Sequence, residues 1–158
     1  MSRGLRLAVV LFLLLSTEGV RSQDAPAGDV RPDYPRAIAF FRRFQNALQR
    51  DDRDEVSRLI QYPLLARLHN KNVKIRTKQE FLANFDAIFD KGVRCVAMHA
   101  KDKDVWGNSH GFTVDGGAVW FDDFSPSGTN DDVHAPDFWT KGTFLIMTVN
   151  NEASYDCK

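Results

Sequence analysis

An apolar stripe at helical spacing predicts a first helix over about residues 35–50. Ile38, Phe41, Phe44 and Leu48 recur on one face of a 3.6-residue period, while polar side chains fill the opposite face. A stripe so rich in phenylalanine is typical of a helix that packs against a hydrophobic core.

A second, shorter helix is predicted from Asp52. Asp52 and Glu55 have the spacing of a capping box, with Asp in place of Ser or Thr. Pro63 is expected to end this helix, because the residue before a proline is disfavoured in the helical region. Alternating residues over 73–76 then predict a short extended segment.

A third helix is predicted over about residues 78–90. Thr77 and Glu80 form a capping box at its start. An apolar stripe at i, i+4, i+7 and i+8 follows, formed by Phe81, Phe85, Ile88 and Phe89. Lys91-Gly92 is expected to end the helix, because glycine is favoured at a helix C-terminus.

The chain after Gly92 predicts sheet. Asp115-Gly116-Gly117 separates two extended runs and is a strong hairpin signal. Several Asp residues and two prolines predict a loop between the last two strands. The predicted strands cover residues 93–100, 105–114, 118–124 and 138–149, and the loop covers 125–137.

The start of the chain has the pattern of a secretory signal peptide over residues 1–22. Arg3 and Arg6 form a basic start, and the apolar run that follows is too short to span a bilayer. Val20 and Ser22 suit the −3 and −1 positions, so we expect cleavage after Ser22. A cut after Ala27, or an anchor that is never cleaved, are the alternatives.

Cleavage would make the protein secreted or periplasmic, with a flexible leader over 23–34 and one domain over 35–158. Of the 158 residues 136 would remain, with 18 basic and 20 acidic side chains after removal of three Arg and one Glu. The two signs are interspersed, which argues against a nucleic-acid partner. No later run predicts a membrane span, and no histidine spacing predicts a metal pair. We expect neither metal nor cofactor.

The two cysteines, Cys95 and Cys157, could form a disulfide in an oxidising compartment. The bridge would close a loop of about 60 residues and contribute on the order of 4 kcal/mol in the chain-entropy model. The alternative is a buried thiol at Cys95, on the predicted strand 93–100, and a free thiol at Cys157.

Three helices followed by an antiparallel meander resemble the nuclear transport factor 2-like fold, also called SnoaL-like or cystatin-like. Residues 35–150 carry the resemblance, which is to an uncharacterised exported bacterial branch. Its motifs are Tyr62-Pro63-Leu64, the run Phe81-x3-Phe85-Asp86-x-Ile88-Phe89, and Val119-Trp120-Phe121 after the glycines. The resemblance implies an α+β cone, with the three helices packed on a curved antiparallel sheet.

The resemblance leaves two functions open. Members of the superfamily include noncatalytic binding modules as well as isomerases, dehydratases and hydrolases. The leading hypothesis is a noncatalytic module that binds a small apolar ligand or a protein partner, with a homodimer through the sheet as one form. The alternative is a small-molecule isomerase, dehydratase or hydrolase with a His or Asp base in the cone.

Each function has candidate residues. A base in the cone could be His99, His110 or Asp86, because a buried imidazole or carboxylate suits general base catalysis. A ligand pocket could use the amphipathic aromatics Tyr62, Trp106 and Trp120. A surface or core role is the alternative for each of these six residues.

The run Gly107-Asn108-Ser109-His110-Gly111 matches the G-x-S-x-G pattern of a serine hydrolase. That motif functions where a strand turns sharply into a helix, and the sequence after Gly111 predicts a strand instead. We therefore expect a kinked or bulged strand here.

Overall fold

The computed structural model of the protein describes residues 31–68, 71–124 and 142–151. The predicted signal peptide, the leader up to residue 30, the loop 125–137, residues 138–141 and Cys157 lie outside these ranges. Within them the chain forms an α+β structure with a six-stranded mixed sheet.

The first described elements are two helices and a strand pair. Helix α1 spans Tyr34–Gln49 and helix α2 spans Arg53–Arg58. Strands β1, Ile60–Leu68, and β2, Lys71–Ile75, pair in antiparallel fashion. The predictions of α1, of the Asp52 cap and of an extended segment are confirmed: the Asp52 carboxylate accepts a 3.0 Å hydrogen bond from the Glu55 N–H.

Pro63 does not end the second helix, contrary to the sequence prediction. Tyr62-Pro63-Leu64 lies inside β1, and the Tyr62–Pro63 peptide is cis. The ladder between β1 and its neighbour in the sheet, strand β6 (Thr143–Asn150), shifts register between Ile60 and Leu65. A proline is tolerated in a strand at such an irregularity, because no ladder N–H is required of it there.

Three short helices follow β2: α3, Lys78–Ala83; α4, Phe85–Ile88; and α5, Lys91–His99. The predicted start after Thr77 is confirmed, since its hydroxyl accepts from the Glu80 N–H at 3.1 Å. The helix is interrupted at Asn84, whose side-chain amide donates to the Glu80 carbonyl at 2.9 Å. Asn competes with helical hydrogen bonds in this way.

The prediction of a strand over 93–100 is wrong, because these residues lie in α5 and the residue after it. Asp90 accepts a 2.9 Å hydrogen bond from the Val93 N–H and caps a helix that includes Gly92. Val93, Val96 and Ala97 are buried at the i, i+3, i+4 spacing of one helix face. Cys95 therefore lies on a helix and not on a strand.

The remaining described strands are β3, Val105–Asn108; β4, Gly111–Val114; β5, Val119–Phe124; and β6, Thr143–Asn150. One predicted strand, 105–114, is thus two strands joined by a turn. The predicted hairpin at Asp115–Gly117 is confirmed between β4 and β5.

The order of strands in the sheet is β2-β1-β6-β5-β4-β3. All described neighbours are antiparallel except β1 and β6, which are parallel. The expectation of a wholly antiparallel sheet is therefore corrected to a mixed one. Parallel neighbours need a long crossover connection, and the chain between β1 and β6 includes all the other strands of the sheet.

The core lies between the helices and one face of the sheet, here called the inner face. Phe40 and Phe41 of α1 contact Phe121 of β5, with ring centroids 5.1 and 5.9 Å apart. Phe44 contacts Phe89, which links α1 to the segment between α4 and α5, at 5.6 Å. Burial of these rings is the main stabilising contribution available to the fold.

Candidate functional site

The outer face of the sheet, opposite the core, presents one residue from each strand in a single row. Phe112 and Phe121 face the core, so the side chains that alternate with them face outward. Strand pairing aligns these outward positions across all six strands. We call them the outer row: Lys74, Leu65, Thr148, Trp120, Thr113 and Trp106.

Two tryptophans form the aromatic end of the outer row. Trp106 and Trp120 both pair with Thr113, which lies on the strand between them. Their ring centroids are 5.7 Å apart and the rings are nearly perpendicular, at 76°. Thr113 between them is fully buried, and its hydroxyl donates to the Val119 carbonyl at 2.9 Å. The pair is thus already assembled over a satisfied polar group.

The outer row carries the exposed large apolar side chains of the described residues. Trp106 is 47% exposed and Leu65 is 37% exposed. Trp120 is half-buried between them. Exposed apolar surface of this kind, with polar neighbours, is typical of an interaction site.

Sequence analysis identifies Trp106 and Trp120 but misses Leu65. Leu65 stands between the buried Leu64 and Ala66, in a run that follows the predicted end of a helix at Pro63. Recognition of that run as a strand would place Leu65 outward, because side chains alternate between the two faces.

Tyr62, the third predicted ligand-binding residue, lies apart from the tryptophans. Its ring packs edge-on against Phe81 of α3, and its hydroxyl donates to the Ser57 carbonyl at 3.3 Å. Burial raises the pKa of Tyr62 to about 12. The structure therefore places it in the packing of β1 against α2 and α3.

The three predicted base residues lie on different elements and are all exposed. Asp86 is in α4, His99 is the last residue of α5, and His110 is in the turn between β3 and β4. The carboxylate of Asp86 is bound by two arginines, and His110 contacts its sequence neighbours. The structure does not bring the three residues together in the interior.

The Asp86 carboxylate belongs to an ion-pair cluster on the helical side. Arg53 binds both of its oxygens at 3.0 Å, and Arg94 binds one at 3.0 Å. Both guanidinium groups lie over the Phe85 ring, at 4.7 and 5.0 Å from its centroid. The hydrogen bond to Asp86 raises the pKa of Arg53. This cluster holds α2, α4 and α5 together.

The G-x-S-x-G run is a hairpin turn and not a strand-to-helix elbow. Asn108 of β3 pairs with Gly111 of β4, and the Asn108 side chain accepts from the His110 N–H at 2.7 Å. The chain therefore reverses its direction here, where the sequence predicts a kinked or bulged strand. Gly111 has φ +116°, a conformation that other residues rarely adopt.

A second ion-pair network, partly buried, ties the start of α1 to the sheet. The Arg31 guanidinium binds the fully buried Asp33 and also Asp122 of β5, both at 2.7 Å. Partial burial acts to lower the pKa of Arg31, but the hydrogen bonds to these carboxylates outweigh it and the pKa is raised. A buried carboxylate that is paired in this way is a structural feature.

Among the described residues there is no group of three metal-ligating side chains, and no helix long and apolar enough to cross a membrane. No protein family model matches the chain, and neither a curated protein nor a solved structure is significantly similar to it.

Proposed function

We propose that this protein is a noncatalytic binding module whose binding surface is the outer row of its sheet. The observation that carries the proposal is the exposed Trp106–Trp120 pair, preassembled over Thr113 and continued by Leu65. Tryptophan is enriched, with tyrosine and arginine, among the residues that dominate binding energy at interfaces.

The partner that best fits the outer row is a second copy of the chain. The row is basic at one end, Lys74, and aromatic at the other, Trp106. A two-fold axis parallel to the strands, between the central strands β6 and β5, would reverse the row. Lys74 of each copy would then lie over Trp106 of the other, and such cation–π contacts are favourable.

The interior supports a protein partner over a small apolar ligand. The inner face is packed with phenylalanine rings whose centroids lie 5 to 6 Å from one another, among them Phe40, Phe121, Phe112 and Phe144. Rings in such contact occupy the region where a ligand-binding cone would be open.

The wider setting of this function is also a proposal. The helices lie on one face of a curved sheet of the nuclear transport factor 2-like type, and residues 1–22 direct the chain to export. The support for the fold assignment is the order of elements, and the support for export is the basic-apolar start of the chain.

Sedimentation equilibrium of the purified protein tests the outer-row proposal. We expect a monomer–dimer equilibrium. The Trp106→Lys substitution should weaken dimerisation at least about tenfold, because it removes an aromatic anchor and places the new lysine opposite Lys74 of the other copy. Gln79→Lys, which adds the same charge on the exposed surface of α3, is the matched control and should leave the equilibrium unchanged.

A second substitution tests the geometry of the pair. In the double variant Trp106→Lys/Lys74→Glu, opposite charges would face each other across the interface, so association should recover in part. A protein that stays monomeric at every accessible concentration, or a Trp106→Lys variant that dimerises like wild type, would contradict the proposal.

A further inference from the structure

The two edges of the sheet differ in how their backbone groups are used. At the β3 edge, the Tyr34 hydroxyl donates to the Val105 carbonyl at 3.3 Å, and the Arg31 guanidinium donates to the Asn108 carbonyl at 3.2 Å. Protein groups that cover a sheet edge keep another strand from pairing there. The start of α1 therefore covers part of the β3 edge.

The opposite edge is strand β2, which is the last strand in the order of the sheet. It pairs with β1 from Lys71 to Ile75. Within the described part of the chain, no hydrogen bond joins residues 71–75 to any other element. An edge strand of this kind is a template on which one more strand can pair.

The β2 edge is basic, although the chain has 21 basic and 21 acidic side chains in all. Residues 59–79 contain no Asp or Glu, and the Lys and Arg among them are Arg67, Lys71, Lys74, Arg76 and Lys78. Lys71, Lys74 and Arg76 are exposed and form no ion pair with the described residues. The next carboxylate along the chain, Glu80, accepts a 2.8 Å hydrogen bond from the Arg76 backbone N–H.

The inner side of the same edge is apolar. Ile75 is buried, and the half-buried Val73 packs against the core. Side chains alternate between the two faces of a sheet, so a strand added beside β2 would present every second side chain to Val73. Its other side chains would lie on the outer face, where Lys74 is. The edge therefore matches a segment in which apolar and acidic residues alternate.

We propose that β2 is a docking edge for an extended acidic segment of another protein, which adds to the sheet as a further strand. Backbone hydrogen bonds to β2 supply the affinity, and the alternating side chains supply the specificity. The five residues of β2 span about 16 Å, so a segment of similar length is sufficient. A second copy of β2 does not fit this edge, because cations would face cations across the two strands.

Fluorescence anisotropy with a short labelled peptide of alternating valine and glutamate tests the role of charge. We expect binding that Lys71→Glu/Arg76→Glu weakens at least about fivefold, because the peptide carboxylates then meet like charges. The matched control is Lys91→Glu/Lys103→Glu, which makes the same change of charge at exposed lysines elsewhere and should bind like wild type. No binding to wild type, or an equal loss in the two variants, would overturn the proposal.

Hydrogen exchange separates strand addition from loose attraction between charges. When the valine–glutamate peptide binds, the amides of residues 71–76 should exchange several-fold more slowly, while those of 105–108 at the other edge stay unchanged. A peptide with glycine in place of valine keeps the charges but lacks the apolar contacts with Val73, so it should bind more weakly.

Three results of these measurements would overturn docking at the edge. They are equal binding of the two peptides, peptide-induced protection of the outer row in place of 71–76, and protection of 71–76 by self-association without peptide. None of them depends on whether the outer row forms a dimer, since the variants keep both Lys74 and Trp106.

Discussion

At the scale of single residues, Gly107 shows how tightly the inner face of the sheet is packed. A Cβ at this position would lie 2.6 Å from the Phe112 ring, which is completely buried. We therefore expect Gly107→Ala to destabilise the fold by about 1–3 kcal/mol, the usual cost of overpacking a core.

Urea denaturation measures this effect, with Gly116→Asn as the control. Gly116 has φ +66°, a Cβ added there would meet no atom within 4 Å, and Asn tolerates this backbone conformation. Equal stability losses for the two variants would show that Phe112 does not pack against Gly107.

Tyr62 provides a residue-scale prediction for pH dependence. Its pKa in the folded protein is about 12, above the ordinary value of 10, because burial disfavours the phenolate. The unfolded chain therefore loses this proton first as pH rises. The contribution of Tyr62 to stability is complete below pH 10 and declines between about pH 10 and 12.

Chemical denaturation of wild type and Tyr62→Phe at a series of pH values from 9 to 12 measures this contribution. We expect wild type to lose stability relative to Tyr62→Phe as pH rises through this window, since the variant has no proton to lose. A stability difference that stays constant from pH 9 to 12 would show that Tyr62 ionises as readily in the folded protein as in the unfolded chain.

At the scale of elements, α5 depends on a cap that sequence analysis misassigns. Asp90 caps α5 through the Val93 N–H, so Asp90→Ala should cost about 1 kcal/mol, a typical value for the loss of an N-cap. Asp90→Asn keeps the acceptor and should cost much less. Thermal unfolding gives the values, and faster hydrogen exchange confined to 91–99 would locate the loss.

If Asp90→Ala and Asp90→Asn were equally stable, the N-cap assignment would be wrong. The same comparison bears on Cys95 and Met98, which lie on α5.

The elements that sequence analysis predicts correctly have strong local signals. The phenylalanine stripe predicts α1 within a residue at each end, and Asp52 and Thr77 are caps as expected. The hairpin at Asp115–Gly117 is encoded by its glycines. In each of these cases the determining contacts lie within a few residues.

The elements that sequence analysis misassigns have ambiguous local signals. Gly92 follows a helical stripe and so indicates a helix end, although a competing cap stands two residues earlier at Asp90. By local preference alone, Val93 and Val96 favour a strand. In the fold they are buried against the core on one face of a helix, and this packing overrides the local preference. The parallel pairing of β1 with β6 joins segments about 80 residues apart, which local patterns do not reveal.

The candidate site also combines features that are local in the sequence with features that depend on long-range contacts. The sequence alone shows that Trp106 and Trp120 are amphipathic aromatic residues suited to binding. Their contact across Thr113, and the alignment of Leu65 and Lys74 with them, depend on strand register. Register is a property of the assembled sheet and requires the turn at Ser109-His110, which the sequence pattern does not predict.

At the scale of the whole molecule, the two faces of the sheet have different roles. The inner face is packed against the helices by phenylalanines, and ion pairs such as Arg94–Asp86 and Arg31–Asp33 fix the helices and the start of α1. The outer face has a preassembled aromatic pair and no candidate base residue among the described side chains of its row. This division supports binding as the function of the outer face.

Oxidative footprinting of side chains at low and high protein concentration tests the central claim most directly. If the outer row is the binding surface, Trp106 and Leu65 become protected from hydroxyl radicals as concentration rises, while Met98 of α5, on the helical side, keeps its reactivity. In the Trp106→Lys variant, the protection of Leu65 should disappear. Association that leaves Trp106 and Leu65 fully reactive, or that protects Met98 in their place, would contradict the account.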